Sequence, residues 1–151
     1  MQAAPGTRVV LVRTGLVLDR NGGALPRMAL PFYFMAGGRL GSGRQQVSWI
    51  HREDWTSMIL WAIEAVTVSG PLNATSPNPV TNREFARTLG KVLGRPAVMP
   101  APAFALRIAL GEMADMLLTG QRVLPAKAEL LGFRFRHPLL EPALRAIYGR
   151  G

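Results

Sequence analysis

The run Val9-Val-Leu-Val12, set between Arg8 and Arg13, is apolar at every position. A strand with one solvated face alternates polar and apolar residues. A run without alternation belongs to a strand covered on both sides, as parallel strands usually are. No lysine, proline or bulge signal marks this run as an edge. A lone pair of parallel strands is a poor domain. The expectation is an interior strand of a larger α/β sheet, with some of its neighbours outside this chain.

The rest of the chain supplies further pieces of such a sheet. Thr14-Gly15 ends the first strand. Leu25 to about Met35 reads as a helix with Pro26 in its first turn, and Gly37–Gly43 as a loop. Gln46–Ile50 reads as a short strand, and His51-Arg-Glu-Asp54 opens a helix. Trp55, Met58, Ile59, Ala62 and Val66 give that helix one apolar face. Pro71–Thr75 is a second strand candidate. Thr81-Asn-Arg-Glu84 is a capping box ahead of the stripe Phe85, Leu89, Val92 and Leu93, with Gly94 as the stop. Beyond Arg95 the texture changes. Pro96, Pro100 and Pro102 mark a connector, and Leu106, Leu110, Met113 and Leu117 recur at helical spacing. Gln121–Leu124 reads as extended, and Pro125 starts a short helix ended by Gly132. Phe133–Arg136 alternates with period two. A last helix is expected from His137, with Leu140, Leu144 and Ile147 in register.

Composition excludes several classes of function. At 48% hydrophobic and 18% charged residues the chain is not a disordered solvating segment. It has no cysteine, which removes disulfides, thiol catalysis and cysteine-bound zinc. The two histidines, His51 and His137, are far apart in sequence, so no metal site is expected. The longest uncharged apolar stretch is Met28–Gly38, well short of the roughly 20 residues of a membrane span. Without a signal-peptide pattern, a cytoplasmic location is expected. The net charge is +9, and arginine supplies all 18 cations except Lys91 and Lys127. These cations are scattered singly, which favours solvated surface charge over a nucleic-acid interface. The nearest thing to such an interface is Arg134 and Arg136 interleaved with Phe133 and Phe135.

Three segments carry a resemblance. They are Arg8-Val-Val-Leu-Val-Arg-Thr-Gly-Leu-Val-Leu18, Gly41-Ser-Gly-Arg-Gln-Gln-Val-Ser-Trp-Ile-His-Arg-Glu-Asp54 and Asn73-Ala-Thr-Ser-Pro-Asn-Pro-Val-Thr-Asn-Arg-Glu-Phe85. Together they resemble the C-terminal half of an extended short-chain dehydrogenase/reductase. The nearest likeness is to the NAD(P)-binding epimerase-like family related to nucleoside-diphosphate-sugar epimerases. Gly111-Glu-Met-Ala-Asp115 and Gln121-Arg-Val-Leu-Pro125 resemble that family's uncharacterised C-terminal domain. The resemblance covers about residues 8–148. It implies an α/β fold: the C-terminal part of a Rossmann-type parallel sheet in 1–94, then a small mostly helical domain in 95–151.

The resemblance also implies an upstream half with a glycine-rich turn for the cofactor pyrophosphate and a Tyr-x-x-x-Lys pair for proton transfer. This sequence contains neither. Tyr33 has Gly37 four residues on, and Tyr148 stands near the end. No catalytic residue is therefore assigned, and the chain is expected to be inactive as an oxidoreductase or epimerase by itself. NADP or NAD would bind only after completion by an upstream Rossmann half. That half, or a self-associating copy, is the expected partner. Met1-Gln-Ala-Ala-Pro-Gly6 reads as linker, which favours a fragment of a longer enzyme. The alternative is a non-catalytic module docking through its uncovered sheet edge. Either way the isolated chain is expected to self-associate, aggregate or be partly molten.

By the same resemblance, Gly15, Leu16 and Val17 would approach the nicotinamide end of the cofactor; plain strand-end packing is the competing reading. The arginine that grips a sugar-nucleotide diphosphate in that family falls on Val47 here, and the acid after it on Ser48. Arg44, Trp49 and His51 remain as substrate-side candidates. Against them stand a solvated arginine, a core tryptophan and a helix-entry histidine. Asp54 suits a cap or dipole partner, and Asn73 and Thr75 suit loop fixation. The stretch Met113, Met116, Leu117, Leu118 reads as core.

Overall fold

The computed structural model describes residues 4–149. In chain order its elements are β1 (Val10–Thr14), β2 (Leu16–Leu18), α1 (Leu25–Tyr33), β3 (Gln46–Val47), β4 (Trp49–His51), α2 (Arg52–Glu64) and β5 (Gly70–Ala74). There follow β6 (Val80–Thr81), α3 (Asn82–Leu93), α4 (Ala103–Leu110), α5 (Glu112–Thr119), α6 (Ala126–Leu130) and α7 (Leu140–Tyr148). β1 pairs in parallel with β5, and β2 pairs in parallel with β4. This is the α/β arrangement expected of the C-terminal part of a Rossmann-type fold.

Gly15 is where the first strand changes partners. Its amide donates to Ala74 O at 3.1 Å, still following β5, and the next amide, of Leu16, donates to Ser48 O at 2.8 Å, joining β4. A Cβ at Gly15 would lie 2.6 Å from Ser48 O and 2.9 Å from Thr75 Cγ2. The site therefore demands a missing side chain rather than an unusual backbone angle. Gly15→Ala is expected to destabilise the fold by about 2 kcal/mol through overpacking against backbone. Urea denaturation followed by far-UV circular dichroism checks this; an unshifted midpoint would mean that the strands part without cost.

Alternation along β2 and β4 builds two cores. Leu16, Leu18 and Trp49 face one side and pack with Leu25 and Phe32 of α1, Phe85 and Leu89 of α3, and Leu140 and Leu144 of α7. Val17 and Ile50 face the other side and pack with Met58 and Ala62 of α2, Leu72 of β5, Ala128 of α6 and Phe133. The Phe133 ring lies 5.3 Å from Trp61 and 4.9 Å from Phe135. Residues beyond 94 thus contribute to both cores, α7 on one face and α6 with Phe133 on the other.

β1 is apolar yet uncovered. Among the described residues its strand partner is β5 alone, on one edge, and Val9, Leu11 and Val12 are exposed, Leu11 by 51%. Leu60 and Ile63 of α2 are exposed as well. Arg8 is not merely a solvated cation. Its guanidinium donates to Ala62 O and Ile63 O at the C-terminal end of α2 and to Val68 O in the loop beyond, at 2.7–2.8 Å.

Several boundaries differ from the sequence reading. Gln46–Ile50 is not one strand: Ser48 divides it, so that β3 pairs antiparallel with β6 and β4 pairs with β2. α2 stops at Glu64, and Val66 is 82% exposed while Val68 takes the buried place. The stripe from Leu106 to Leu117 is two helices, because Gly111 turns the chain at φ 59°. α7 starts at Leu140 rather than His137. The preceding stretch is held extended instead, with the His137 amide donating to Asp54 and Pro138 O accepting from Ser76 and Asn78. Phe133–Arg136 keeps its alternation, with both phenylalanines turned inward and both arginines exposed, but forms no strand. Thr81 caps α3 as expected, its Oγ1 accepting the Glu84 amide at 3.2 Å. Among the described residues no helix is long and apolar enough to cross a membrane.

Candidate functional site

Open α/β sheets bind ligands beyond the carboxyl ends of their strands. A cleft of about 260 Å³ lies at that place here. Thr14, Gly15 and Leu16 form its floor, Gln46, Val47 and Ser48 one wall, and Leu117, Thr119, Gly120, Gln121 and Val123 the other. The second wall is stitched down by side chains from the strand ends. Ser48 Oγ donates to Gln121 O at 2.6 Å and accepts the Val123 amide at 2.8 Å. Thr75 Oγ1 donates to Val123 O, and Asn73 Nδ2 to Leu124 O. Gln45 Nε2 donates to Leu40 O and Leu117 O. Asn73 and Thr75 therefore fix loop backbone, as their residue types suggest. No charged side chain is among the cleft's lining residues.

A second cluster stands at the start of α2. The fold brings together the two histidines that sequence distance separates: His51 and His137 stack with ring centroids 3.9 Å apart. His51 caps α2, its Nδ1 accepting the Glu53 amide at 3.1 Å. His137 Nε2 lies 2.9 Å from Glu53 Oε2, and this pairing draws the Glu53 carboxyl below its ordinary value. Burial first, and then the neighbouring His137, hold His51 below the usual imidazole value. Asp54, 1% exposed, accepts the amides of Arg136 and His137 at 2.7 and 2.8 Å and so sets the His137 ring over His51. His51, Glu53 and His137 offer ligand atoms within 4.8 Å of one another. These hydrogen bonds already engage the His51 Nδ1 lone pair and the Glu53 carboxylate. In this structure the trio forms a hydrogen-bonded unit.

Comparison with known proteins places this architecture. Residues 101–147 match the model of a domain of unknown function, DUF1731. The epimerase family protein YfhF of Bacillus subtilis is 50% identical over 141 residues, spanning 93% of this chain and 46% of that protein. The chloroplastic SDR39U1 homolog of Arabidopsis thaliana is 46% identical over 147 residues, 97% of this chain and 42% of that one. The crystal structure of human epimerase family protein SDR39U1 (isoform 2) with NADPH superposes with a TM-score of 0.91 at 41% identity, covering all of this chain and 52% of that one. The chain is similar to the C-terminal half of these epimerase-family proteins. It spans about half the length of the relatives it matches. A UDP-glucose 4-epimerase from Thermus thermophilus, in complex with NAD, has the same fold at TM-score 0.67 and 18% identity.

Against that epimerase-family frame, the candidates from sequence fall in different places. Gly15 and Leu16 line the cleft, whereas Val17 turns into the second core. Arg44 is exposed on the loop before β3 and is not a lining residue of the cleft. Trp49 is 0% exposed in the first core, with its indole N–H donating to Asn78 O at 3.0 Å. His51 is buried as the α2 cap, away from the cleft's lining. Val47 is buried among core residues where the family pattern would have an arginine. Tyr148 is half-buried, and its hydroxyl is pushed up to about 12 by burial and by Tyr33. Sequence reasoning missed Ser48, Gln46 and the Thr119–Val123 wall. The one available signal was a lone hydroxyl, Ser48, within an otherwise buried apolar strand.

Proposed function

We propose that this chain is the substrate-side half of an NAD(P)-dependent, epimerase/dehydratase-like oxidoreductase, completed by an upstream Rossmann half. The observation that carries this reading is β1. The apolar run into β1 leaves Val9, Leu11 and Val12 exposed, and the strand is paired on one edge only among the described residues, above a cleft at its carboxyl end. Such a strand has the form of an interior strand awaiting cover. The exposed Leu60 and Ile63 of α2 extend the apolar surface beyond it.

In this reading the upstream half supplies the glycine-rich turn for the pyrophosphate and the Tyr-x-x-x-Lys pair for the proton. The residues present fit one end of the cofactor. Gly15 and Leu16 present backbone at the cleft floor, where the nicotinamide end would lie, and the Thr119–Val123 wall shields it from water. The cofactor, when bound, supplies or accepts the hydride. Gln46 and Gln121 are the polar side chains positioned to orient a substrate, and the buried Val47 argues against a diphosphate grip. The sequence-based division at residue 94 stands here as a division of roles: 1–94 for the sheet, 95–151 for the substrate wall. A cytoplasmic enzyme is the setting this reading suits.

The test is a fluorescence titration with NADPH. The chain alone is expected to bind at least about tenfold more weakly than a fusion carrying the upstream half of an epimerase-family relative. Equal affinity in both would place the cofactor site within this chain and overturn the proposal. A second copy covering β1 would be seen as a dimer in light scattering, and would favour the self-associating alternative if the fusion gains no affinity.

A further inference from the structure

We propose that the stacked His51–His137 pair is a proton-operated latch that holds Phe133–Leu139 against α2 at neutral pH and releases it in acid. Three ties hold this strap. Asp54 accepts the Arg136 and His137 amides, the His137 ring lies on His51, and Pro138 O accepts from Ser76 Oγ and Asn78 Nδ2. The strap links α6 to α7 and carries Phe133 into the second core.

The docked geometry disfavours a proton on His51. His51 Nδ1 accepts the Glu53 amide, so that nitrogen carries no hydrogen. A proton added there removes the cap of α2. It also sets a charge at the positive end of the helix, facing the His137 ring 3.9 Å away. The strap itself brings the Arg136 charge, which acts on Glu53. Arg52 and His137 oppose a charge on His51. Glu53 favours one but already pairs with His137. Asp54 favours one but has both oxygens on strap amides. Across the shallow pocket beside His51, Asp19 is paired with Arg52 at 3.6 Å, Arg20 adds positive charge, and α7 contributes only Ala146 and Ile147. Burial and His137 accordingly hold the docked His51 below its ordinary value. In the released strap both causes relax, and the ring returns toward about 6.5. The released form therefore binds more protons. Docking is complete above that value and weakens as the pH falls below it toward the lowered value of the docked ring.

Amide hydrogen exchange of the full chain at about pH 7.5 and about pH 5.0, corrected for intrinsic exchange, reads this directly. The Arg136 and His137 amides are expected to lose protection in acid, while Leu72 in β5 keeps its protection. His51→Asn retains an acceptor for the Glu53 amide without titrating, and is expected to remove the acid response. His137→Phe keeps an aromatic ring in the stack without the pairing to Glu53, and is expected to reduce the response. Unchanged protection in the wild-type strap would overturn the latch. So would an equal loss in His51→Asn, or a parallel loss at Leu72 that reports global unfolding.

Discussion

Trp49→Ala is expected to lower the stability of the chain by about 3–5 kcal/mol, the range for removing a large aromatic from a packed core. Trp49 is wholly buried among Leu18, Phe85, Leu89 and Leu144, and its indole N–H has a partner in Asn78 O. Two losses combine on truncation: apolar contacts leave a cavity, and a buried carbonyl loses its donor. Trp49→Phe separates them. It keeps a ring in the core and removes only the donor and part of the volume, so a smaller loss of about 1–2 kcal/mol is expected. Urea denaturation followed by far-UV circular dichroism measures both. A substrate-contacting tryptophan would behave differently, with Trp49→Ala near wild type in stability. A loss under about 1 kcal/mol would return Trp49 to the substrate side.

Trp49 also shows what could be read from the chain alone. It stands between Val47 and Ile50 in a short apolar run, so a strand with a core residue was legible, as were β1, β5, α3 and its cap. Each of those rests on local periodicity or on a capping pattern within a few residues, where sequence and structure are tightly coupled. Gly15 was legible as a strand end and unreadable as a crossing point, because the Ser48 carbonyl that excludes a side chain comes from another strand. The cleft was mostly invisible. Its second wall depends on Ser48 reaching Gln121 O, 73 residues on, and no periodicity encodes such a pair. The histidines failed for the same reason. Counting residues places them far apart, and only the Asp54 carboxylate, bonded to an amide 83 positions away, explains why they stack. The element boundaries slipped where hydrogen bonds reach distant residues, through the Ser48 side chain and through the His137 amide. At Ser48 and at His137 tertiary hydrogen bonds outweighed the local pattern.

Asp54→Ala is expected to destabilise the chain by about 3 kcal/mol, and Asp54→Asn by about half of that. The carboxylate is 1% exposed and has an oxygen on each of two strap amides. Removing it leaves two partly buried N–H groups without acceptors, each worth about 1–3 kcal/mol when unmet. Water reaches the exposed side of the strap and returns some of that loss. Asparagine still offers one carbonyl oxygen, so one amide stays satisfied while the other meets an NH₂ donor. The ordering of the two variants carries the argument, since simple loss of a first-turn acid at a helix N-terminus would penalise both nearly equally and by under about 1 kcal/mol. Stability from urea denaturation, with far-UV circular dichroism as the signal, gives the ordering. An Asp54→Ala midpoint equal to wild type would mean that solvent replaces the carboxylate on both amides. The strap would then be positioned by Phe133, Phe135 and Trp61 alone, and the stacking of the histidines would be a consequence of aromatic packing.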